Sequence, residues 1–492
     1  MKLKALCQKL SKQVRLYGDK EVEVTGLCTD SRRAVPGNLF IARRGVSHDG
    51  NQFIEEAYRA GCVAILTDLY DPTCDALSQI VVDEVDAIEA EVATLFYANP
   101  SKELLLVGIT GTDGKTTSSY LTRWLLEQNG YRCGLIGTIE YLIGDLRRPS
   151  PLTTPDLVSN HKMMREMLRE GCNAAVMEVS SHGIQQGRLA GLHFDVGLLT
   201  NLASDHLDYH GSVEAYRQAK ASFFQGPTNL PPRLAILNGD DSLGKQLLSE
   251  LPGNKVSYGF GSTCDLRLID FDPLAGGRQR LTFEWEGKRV VCRLPLMGCH
   301  NSYNGAGAIA VALSQGISID QVCAAIEGFP GVPGRLEQLT HPLQPSLEVY
   351  IDYAHTPRAL EAVLNAVRRH ELGRRLTVVF GCGGNRDRQK RPKMAQVAEE
   401  LADRVIVTSD NPRHEEASAI IAEICTGFSH PSRYKAIVDR REAIHYAIAT
   451  RSDLELLLIA GKGHEKVQLI ADCHHPFDDS AVAHSLCCED KG

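Results

Sequence analysis

The chain of 492 residues is 43% apolar and 23% charged, the proportions of a soluble globular protein and not of a disordered one. With 53 Lys and Arg against 61 Asp and Glu, its formal charge of −8 gives no electrostatic reason to expect nucleic acid or an anionic membrane as a partner. At roughly 150 residues per domain the length suggests about three domains, each able to bury its own core.

The first residues are interrupted by Lys2, Lys4, Gln8 and Lys9 and lack the apolar stretch of a secretory leader. No run approaches the roughly 20 apolar residues that span a bilayer. The 15 cysteines are scattered without zinc-type spacing, so reduced thiols in a cytoplasmic protein are expected.

Residues 1–98 mix short apolar runs (Leu39–Ala42, Ala64–Leu66, Ile80–Val82) with a helix around Phe53–Ala60, which reads as a small α/β domain of unassigned topology. An amphipathic stretch from Ile88 to Tyr97 stops at Asn99-Pro100, since the residue before proline resists helix. An apolar run at 104–107, a Gly-rich turn and a helix through Leu121, Trp124 and Leu125 follow. The stretch Gly328–Gly334 is too rich in Gly and Pro for regular structure and marks a second break. Beyond it, apolar runs at 349–353, 376–381, 404–408 and 455–460 are separated by helical patterns that include 357–369, 392–402 and 440–449. That alternation predicts a parallel sheet covered on both faces. The third break is a polar tail after Ser485. The fold class is therefore α/β, with domains expected at 1–100, 101–334 and 335–492.

The strongest motif is Gly108-Ile109-Thr110-Gly111-Thr112-Asp113-Gly114-Lys115-Thr116-Thr117, placed between a strand and a helix. Glycines there let backbone N–H groups close around phosphate oxygens, and the helix N-terminus favours the anion. Lys115 would reach the β- and γ-phosphates, and the Thr116 hydroxyl would hold Mg²⁺. The strict pattern GxxxxGK[ST] is not met, because Ile109 stands at its first glycine. Further on, the run Ala174–Val179 reads as a buried strand ending in the carboxylate Glu178, where parallel sheets place ligands. A Glu that caps a helix or faces solvent is the plain alternative on this pattern alone. The segment Asp205-His206-Leu207-Asp208-Tyr209-His210 gathers two Asp and two His, either a polar surface loop or part of a site.

Taken together these motifs resemble the Mur ligases, three-domain ATP-dependent enzymes that form amide bonds in peptidoglycan synthesis. The resemblance runs nearly the whole chain: GTDGKTT, Glu178 to Arg188, Asp205 to His210, His300 to Asn304, Pro333 to Glu337, Asp352 to Pro357, Asp410 to Arg413 and Gly461 to Glu465 all occur in the family's order. It implies an N-terminal UDP-sugar-binding α/β domain, a central P-loop ATPase domain and a C-terminal Rossmann-like domain. Thr29-Asp30-Ser31-Arg32, Thr153-Thr154-Pro155 and Asp410-Asn411-Pro412-Arg413 are most similar to the members that add the third peptide residue to UDP-MurNAc-L-Ala-D-Glu. Folylpolyglutamate synthetase shares the ATPase and C-terminal plan but is not expected to carry this N-terminal domain.

The implied reaction is phosphoryl transfer from ATP to the D-Glu carboxylate, followed by attack of an amine on the acyl phosphate. The resemblance assigns ATP to Gly111, Thr112, Asp113, Gly114, Lys115, Thr116, Thr117, Asn304, Arg335, Asp352 and His355. Mg²⁺ falls to Thr116, Glu178 and His206, with Lys220 as a carbamylated lysine supporting a second ion. The chemistry behind that last role is general: an amine withdrawn from water holds its proton less tightly, and its neutral form captures CO₂. Ser31, Thr153, Thr154, Ser180, Gln186 and Arg188 would contact the UDP-MurNAc-dipeptide, Arg188 through a fork suited to two oxygens.

Arg386, Asp410, Asn411, Pro412, Arg413, Gly461 and Glu465 would bind the amino-acid acceptor. Meso-diaminopimelate differs from lysine by a carboxylate on the distal amine-bearing carbon. An Arg413 left unpaired by lysine can reject it by about 10⁴ or more; Glu465 would take the distal ammonium. Asp113 stands where many relatives carry Asn, and residues 42–49 match the family's uridine-side loop only loosely, so those contacts stay open. A monomer is expected, with the C-terminal domain rotating onto the central one. Two rivals remain: the same chemistry with lysine or a folate polyglutamate as acceptor, and a nucleotide-driven switch that hydrolyses ATP for a partner.

Overall fold

The computed structural model describes residues 1–45, 49–203, 207–226, 229–339, 348–371, 373–452 and 455–489. The first sheet is five-stranded, in the order Arg15–Tyr17, Ser78–Val81, Ala64–Thr67, Asn38–Ile41, Gly26–Cys28. Its strands are parallel except the antiparallel edge Arg15–Tyr17. Leu39, Ile41, Leu66 and Ile80 pack one face against Ile88 and Val92 of the helix Asp86–Phe96. Phe40 and Ile65 turn the other way onto Ile54 and Ala57 of the helix Ile54–Arg59. Burial on both faces is why these strands read as unbroken apolar runs. The first break is where the proline places it: Asn99 is left-handed at φ 52°, and Pro100–Lys102 forms a single tight turn.

The central sheet has eleven strands. Leu105–Thr110 lies between Ala174–Glu178 and Val196–Leu199, parallel to both, so the strand order reverses at its carboxyl end. Ligands of open α/β sheets bind in the crevice at such a switch point. The helix Lys115–Glu127 leaves from that end and buries Leu121, Leu125 and Leu126 on one face of the sheet. Met164, Met167 and Phe223 help cover the other face. Past Asn254–Gly259 the sheet extends into a ribbon of Leu266–Leu274, Arg278–Trp285 and Lys288–Leu294, whose alternating burial is that of a sheet with one wet face.

After the irregular stretch at 328–334 the third sheet opens with the antiparallel edge strand Glu337–Leu339. It continues Glu348–Asp352, Glu455–Ala460, Arg375–Phe380, Arg404–Val407, Tyr434–Ala436, all parallel. The predicted helices appear as Pro357–His370, Lys390–Leu401 and Arg440–Ala449. The polar tail expected after Ser485 is a correction: the helix Asp479–Glu489 runs through it, because Val482, Ala483 and Leu486 form an apolar stripe that packs on the sheet. No helix among the described residues is long and apolar enough to cross a membrane.

A buried ion pair braces this sheet. Arg440 and Asp479 are both fully buried and joined by two 2.7 Å bonds, from Nε to Oδ1 and from Nη2 to Oδ2. The same guanidinium donates to the carbonyls of Ser409 and Ala460, which precede Asp410 and Gly461. Arg440→Met strands the carboxylate of Asp479 in the core and is expected to cost about 3–5 kcal/mol, read as a lowered urea midpoint. An unchanged midpoint would show that the pair contributes nothing.

Candidate functional site

The phosphate loop is built by two glycines. Gly111 has φ 148°, and a Cβ there would lie 1.8 Å from Thr200 Oγ1; Gly114 has φ 85°, and a Cβ would lie 2.2 Å from Asn304 Oδ1. Only glycine fits either place. The loop is held from the neighbouring strand end: Thr112 N donates to Asn201 O (2.9 Å), Asp113 N to Asn201 Oδ1 (3.0 Å), and Thr200 Oγ1 to Asp113 O (2.7 Å). Lys115 and Lys220 converge on it. Lys115 Nζ donates to the carbonyls of Gly111 (2.9 Å) and Thr112 (2.8 Å), and buried Lys220 donates to Gly111 O at 2.7 Å with its ammonium 4.6 Å from the Tyr216 ring centre. Asn304, predicted from its motif, faces the loop from the helix Cys299–Ser314 and is steadied by Asn301.

Glu178 ends its strand fully buried. Its oxygens accept from Thr116 Oγ1 (3.1 Å), Thr138 N (3.0 Å) and Thr138 Oγ1 (2.8 Å), and among the described residues it enters no ion pair. A dry carboxylate served only by neutral donors is costly unless a cation balances it. One carboxylate beside one hydroxyl, next to a phosphate loop, suits Mg²⁺, which is held by few protein oxygens and completed by phosphates and water. The residues present therefore fit that ion. His206, assigned to the same role, lies outside the described residues, as does part of the loosely matching 42–49 segment.

The linker brings the third domain to this place. Arg335 Nη2 lies 3.4 Å from Thr116 Oγ1, and its guanidinium stacks 4.5 Å over the Tyr353 ring. Asp352 holds the linker: Oδ2 accepts from Leu336 N and Oδ1 from Ala354 N, each at 2.7 Å. Burial raises its pKa, opposed by Arg335. His355 turns its Nδ1 to Tyr353 O (3.0 Å). These residues and the phosphate loop line one cavity of about 600 Å³.

Tyr353 carries contact onward, its ring 5.2 Å from that of His464. His464 belongs to the loop Gly461–Glu465 predicted for the acceptor, where burial, then the charges of Arg335 and Lys462, push its imidazole down to about 3. Here Gly461 has φ 113° and a Cβ would sit 2.6 Å from Asp410 Oδ2. Asn411 Nδ2 donates to Glu465 Oε2 at 2.7 Å.

Arg413 is left-handed at φ 52°, a conformation that costs a non-glycine residue roughly 1–2 kcal/mol. Two backbone bonds to the hairpin Val467–Ile470 and Cys473–Pro476 hold it, Arg413 N to Leu469 O (3.0 Å) and Ala471 N to Arg413 O (2.7 Å). Its Nη1 donates to Gly384 O (2.9 Å), while Nε and Nη2 make no hydrogen bond among the described residues. Burial, then the like charge of Arg386, lowers the pKa of this guanidinium. Arg386 itself is exposed, and the carbonyl of Pro412 closes on Gly384.

The residues predicted for the sugar-peptide form one network, apart from Ser31. Thr154 Oγ1 donates to Glu178 O (2.8 Å) and accepts from Ser180 N (2.9 Å), and Thr153 Oγ1 lies 3.0 Å from Thr138 Oγ1. Arg188 reaches Thr154 O (2.6 Å) and Gln186 Oε1 (2.5 Å). Ser31 lies in the first domain, where its hydroxyl donates to Glu56 Oε2 at 2.6 Å. Sequence reading missed Thr138, Tyr216, Tyr353 and Lys462. For Tyr353 and Lys462 the signal was their place inside quoted motifs, and for Thr138 its place just past the strand Cys133–Ile136.

Known proteins resemble this chain. Residues 23–99, 109–312 and 334–463 match the family models described as "Mur ligase family, catalytic domain", "Mur ligase middle domain" and "Mur ligase, glutamate ligase domain". The chain is 41% identical over 472 residues to the UDP-N-acetylmuramoyl-L-alanyl-D-glutamate–2,6-diaminopimelate ligase of Chlamydia trachomatis, covering 95% of this chain and 96% of that one. It is 36% identical over 482 residues, 98% of each chain, to the similarly named ligase 1 of Clostridium acetobutylicum. A solved structure of a ligase with that name superposes with a TM-score of 0.70 at 30% identity, covering 100% of this chain and 99% of the other. With three family models matched in order and such relatives along its whole length, the chain belongs to the Mur ligase family.

Proposed function

We propose that the protein ligates meso-diaminopimelate to the D-Glu carboxylate of UDP-MurNAc-L-Ala-D-Glu at the expense of ATP, through an acyl phosphate, in cytoplasmic peptidoglycan precursor synthesis. Residues 1–100 and the Thr153–Arg188 network take the sugar-peptide, 101–334 the ATP and 335–492 the amino acid. The observation that carries the reading is the unbroken path from the phosphate loop through Arg335 and Tyr353 to the acceptor loop. A ligase must bring phosphate and amine to one carboxylate, and a nucleotide switch has no use for such a path. The names of the relatives specify the acceptor, and the solved Thermotoga maritima MurF was crystallised with ADP.

In the first step little covalent work falls to the protein, so positioning and charge neutralisation dominate. Lys115 and the N–H groups at the start of the helix Lys115–Glu127 hold the phosphates, with Arg335 beside them. Thr116 and Glu178, together with His206 and a carbamylated Lys220, would hold Mg²⁺, which would supply charge neutralisation at the phosphates when bound. Arg188 and Ser180 orient the sugar-peptide. In the second step Arg413 and Arg386 hold acceptor carboxylates and Glu465 faces the distal ammonium, with Asp410 and Asn411 beside it, while the other amine attacks the acyl phosphate in its neutral form and displaces phosphate.

The test is ADP release with each substrate left out in turn. A ligase releases little ADP until ATP, sugar-peptide and amino acid are all present. ADP formed at full rate without an amine would overturn the reading in favour of the switch.

A further inference from the structure

Inside the stretch Gly461–Glu465 lies a charge that the reaction described above does not use. Lys462 is fully buried, and its ammonium donates to Asn411 Oδ1 (3.1 Å), Glu465 Oε2 (3.2 Å) and Val467 O (2.7 Å). Three hydrogens on three acceptors saturate it, so it has nothing left to offer a ligand. Its effect is on its neighbours. Asn411 Oδ1 also accepts from Leu469 N at 3.0 Å, and two donors on that oxygen decide which way the amide faces. The Nδ2 group is thereby turned onto Glu465 Oε2 at 2.7 Å. Glu465 Oε2 then carries two donors, whereas Oε1 carries none among the described residues.

We propose that Lys462 is a positioning residue of the amino-acid site. From beneath Asn411 and Glu465 it sets the orientation of both, so that Glu465 Oε1 receives the distal ammonium of the acceptor. This rests on the reading of the acceptor loop given above. The dry ammonium also balances the Glu465 carboxylate. Without it Glu465 is pulled toward water and the Asn411 amide loses one of the two donors that fix it.

The experiment is steady-state kinetics on the full-length Lys462→Met protein, varying each substrate separately. KM for diaminopimelate is expected to rise by about tenfold or more, as for losing a hydrogen bond to a charged group. KM for ATP and for the sugar-peptide should stay within about twofold. A purely structural lysine would move all three together, and that result overturns the proposal, as does an unchanged diaminopimelate KM. Should the single variant unfold, Lys462→Met with Glu465→Gln removes the stranded charge and is compared with Glu465→Gln alone. A residue acting through Glu465 adds less than about twofold to the diaminopimelate KM of Glu465→Gln, and a larger rise refutes it. The unaltered chain is run beside these with diaminopimelate and with lysine. Failure to use diaminopimelate defeats the functional reading, while the KM split, measured with the amino acid that is used, still decides the role of Lys462.

Discussion

Arg413→Ala is expected to lower kcat/KM for meso-diaminopimelate by about 10³-fold while raising the value for lysine. The guanidinium is anchored through Nη1 on Gly384 O, with its Nε–Nη2 side unengaged among the described residues. That side is the fork that binds both oxygens of a carboxylate. Arg386 stands close enough for its charge to be felt, so the distal carboxylate meets two cations where lysine offers none. Bound lysine leaves the fork half-buried and unpaired, and removing the fork removes that penalty too. Preference should therefore collapse from both sides. Arg413→Lys should not restore it, since a point charge on a flexible stem cannot make the paired contact. Competition between the two amino acids, with products resolved by mass, reads the outcome; an unaltered ratio removes Arg413 from specificity.

Lys115→Ala should lower kcat by about 10³-fold, the scale of losing a preorganised charge at a transferring phosphoryl group. The lysine comes off the first turn of its helix and bonds the carbonyls of Gly111 and Thr112. Its ammonium thus lies beside the backbone that cradles the phosphates. The loop does not depend on it for shape. Asn201, Thr200 and Lys220 hold the same backbone, and two glycines set its course. The unfolding midpoint should consequently move little while turnover falls. ADP release at saturating substrates beside a thermal melt separates the two effects. A kcat within about tenfold of the unaltered chain would mean that the phosphates bind elsewhere.

Signals of short range were legible in the chain. The apolar runs at 376–381, 404–408 and 455–460 became the strands Arg375–Phe380, Arg404–Val407 and Glu455–Ala460, because a strand buried on both faces needs no partner to be recognised. Asn99-Pro100 ended its helix for a reason internal to two residues. The helix Asp479–Glu489 was not legible, since its apolar stripe takes meaning only from the sheet it covers. The strands Glu337–Leu339 and Tyr434–Ala436 escaped notice because three residues carry too little periodicity.

The site divides along the same line. Gly111, Gly114, Lys115 and Thr116 announce a phosphate loop because the chemistry lies within six residues, and motif order along the chain was enough to name the family. Which groups meet was settled only by folding. Arg335 reaches Thr116 across 219 positions, Glu178 draws on Thr138 from just past a neighbouring strand, and Lys462 turns Asn411 from 51 positions away. Backbone conformation depends on neighbours a few residues off, so it can be read from letters. The balance of a buried charge depends on whatever packing brings beside it, and no local pattern records that.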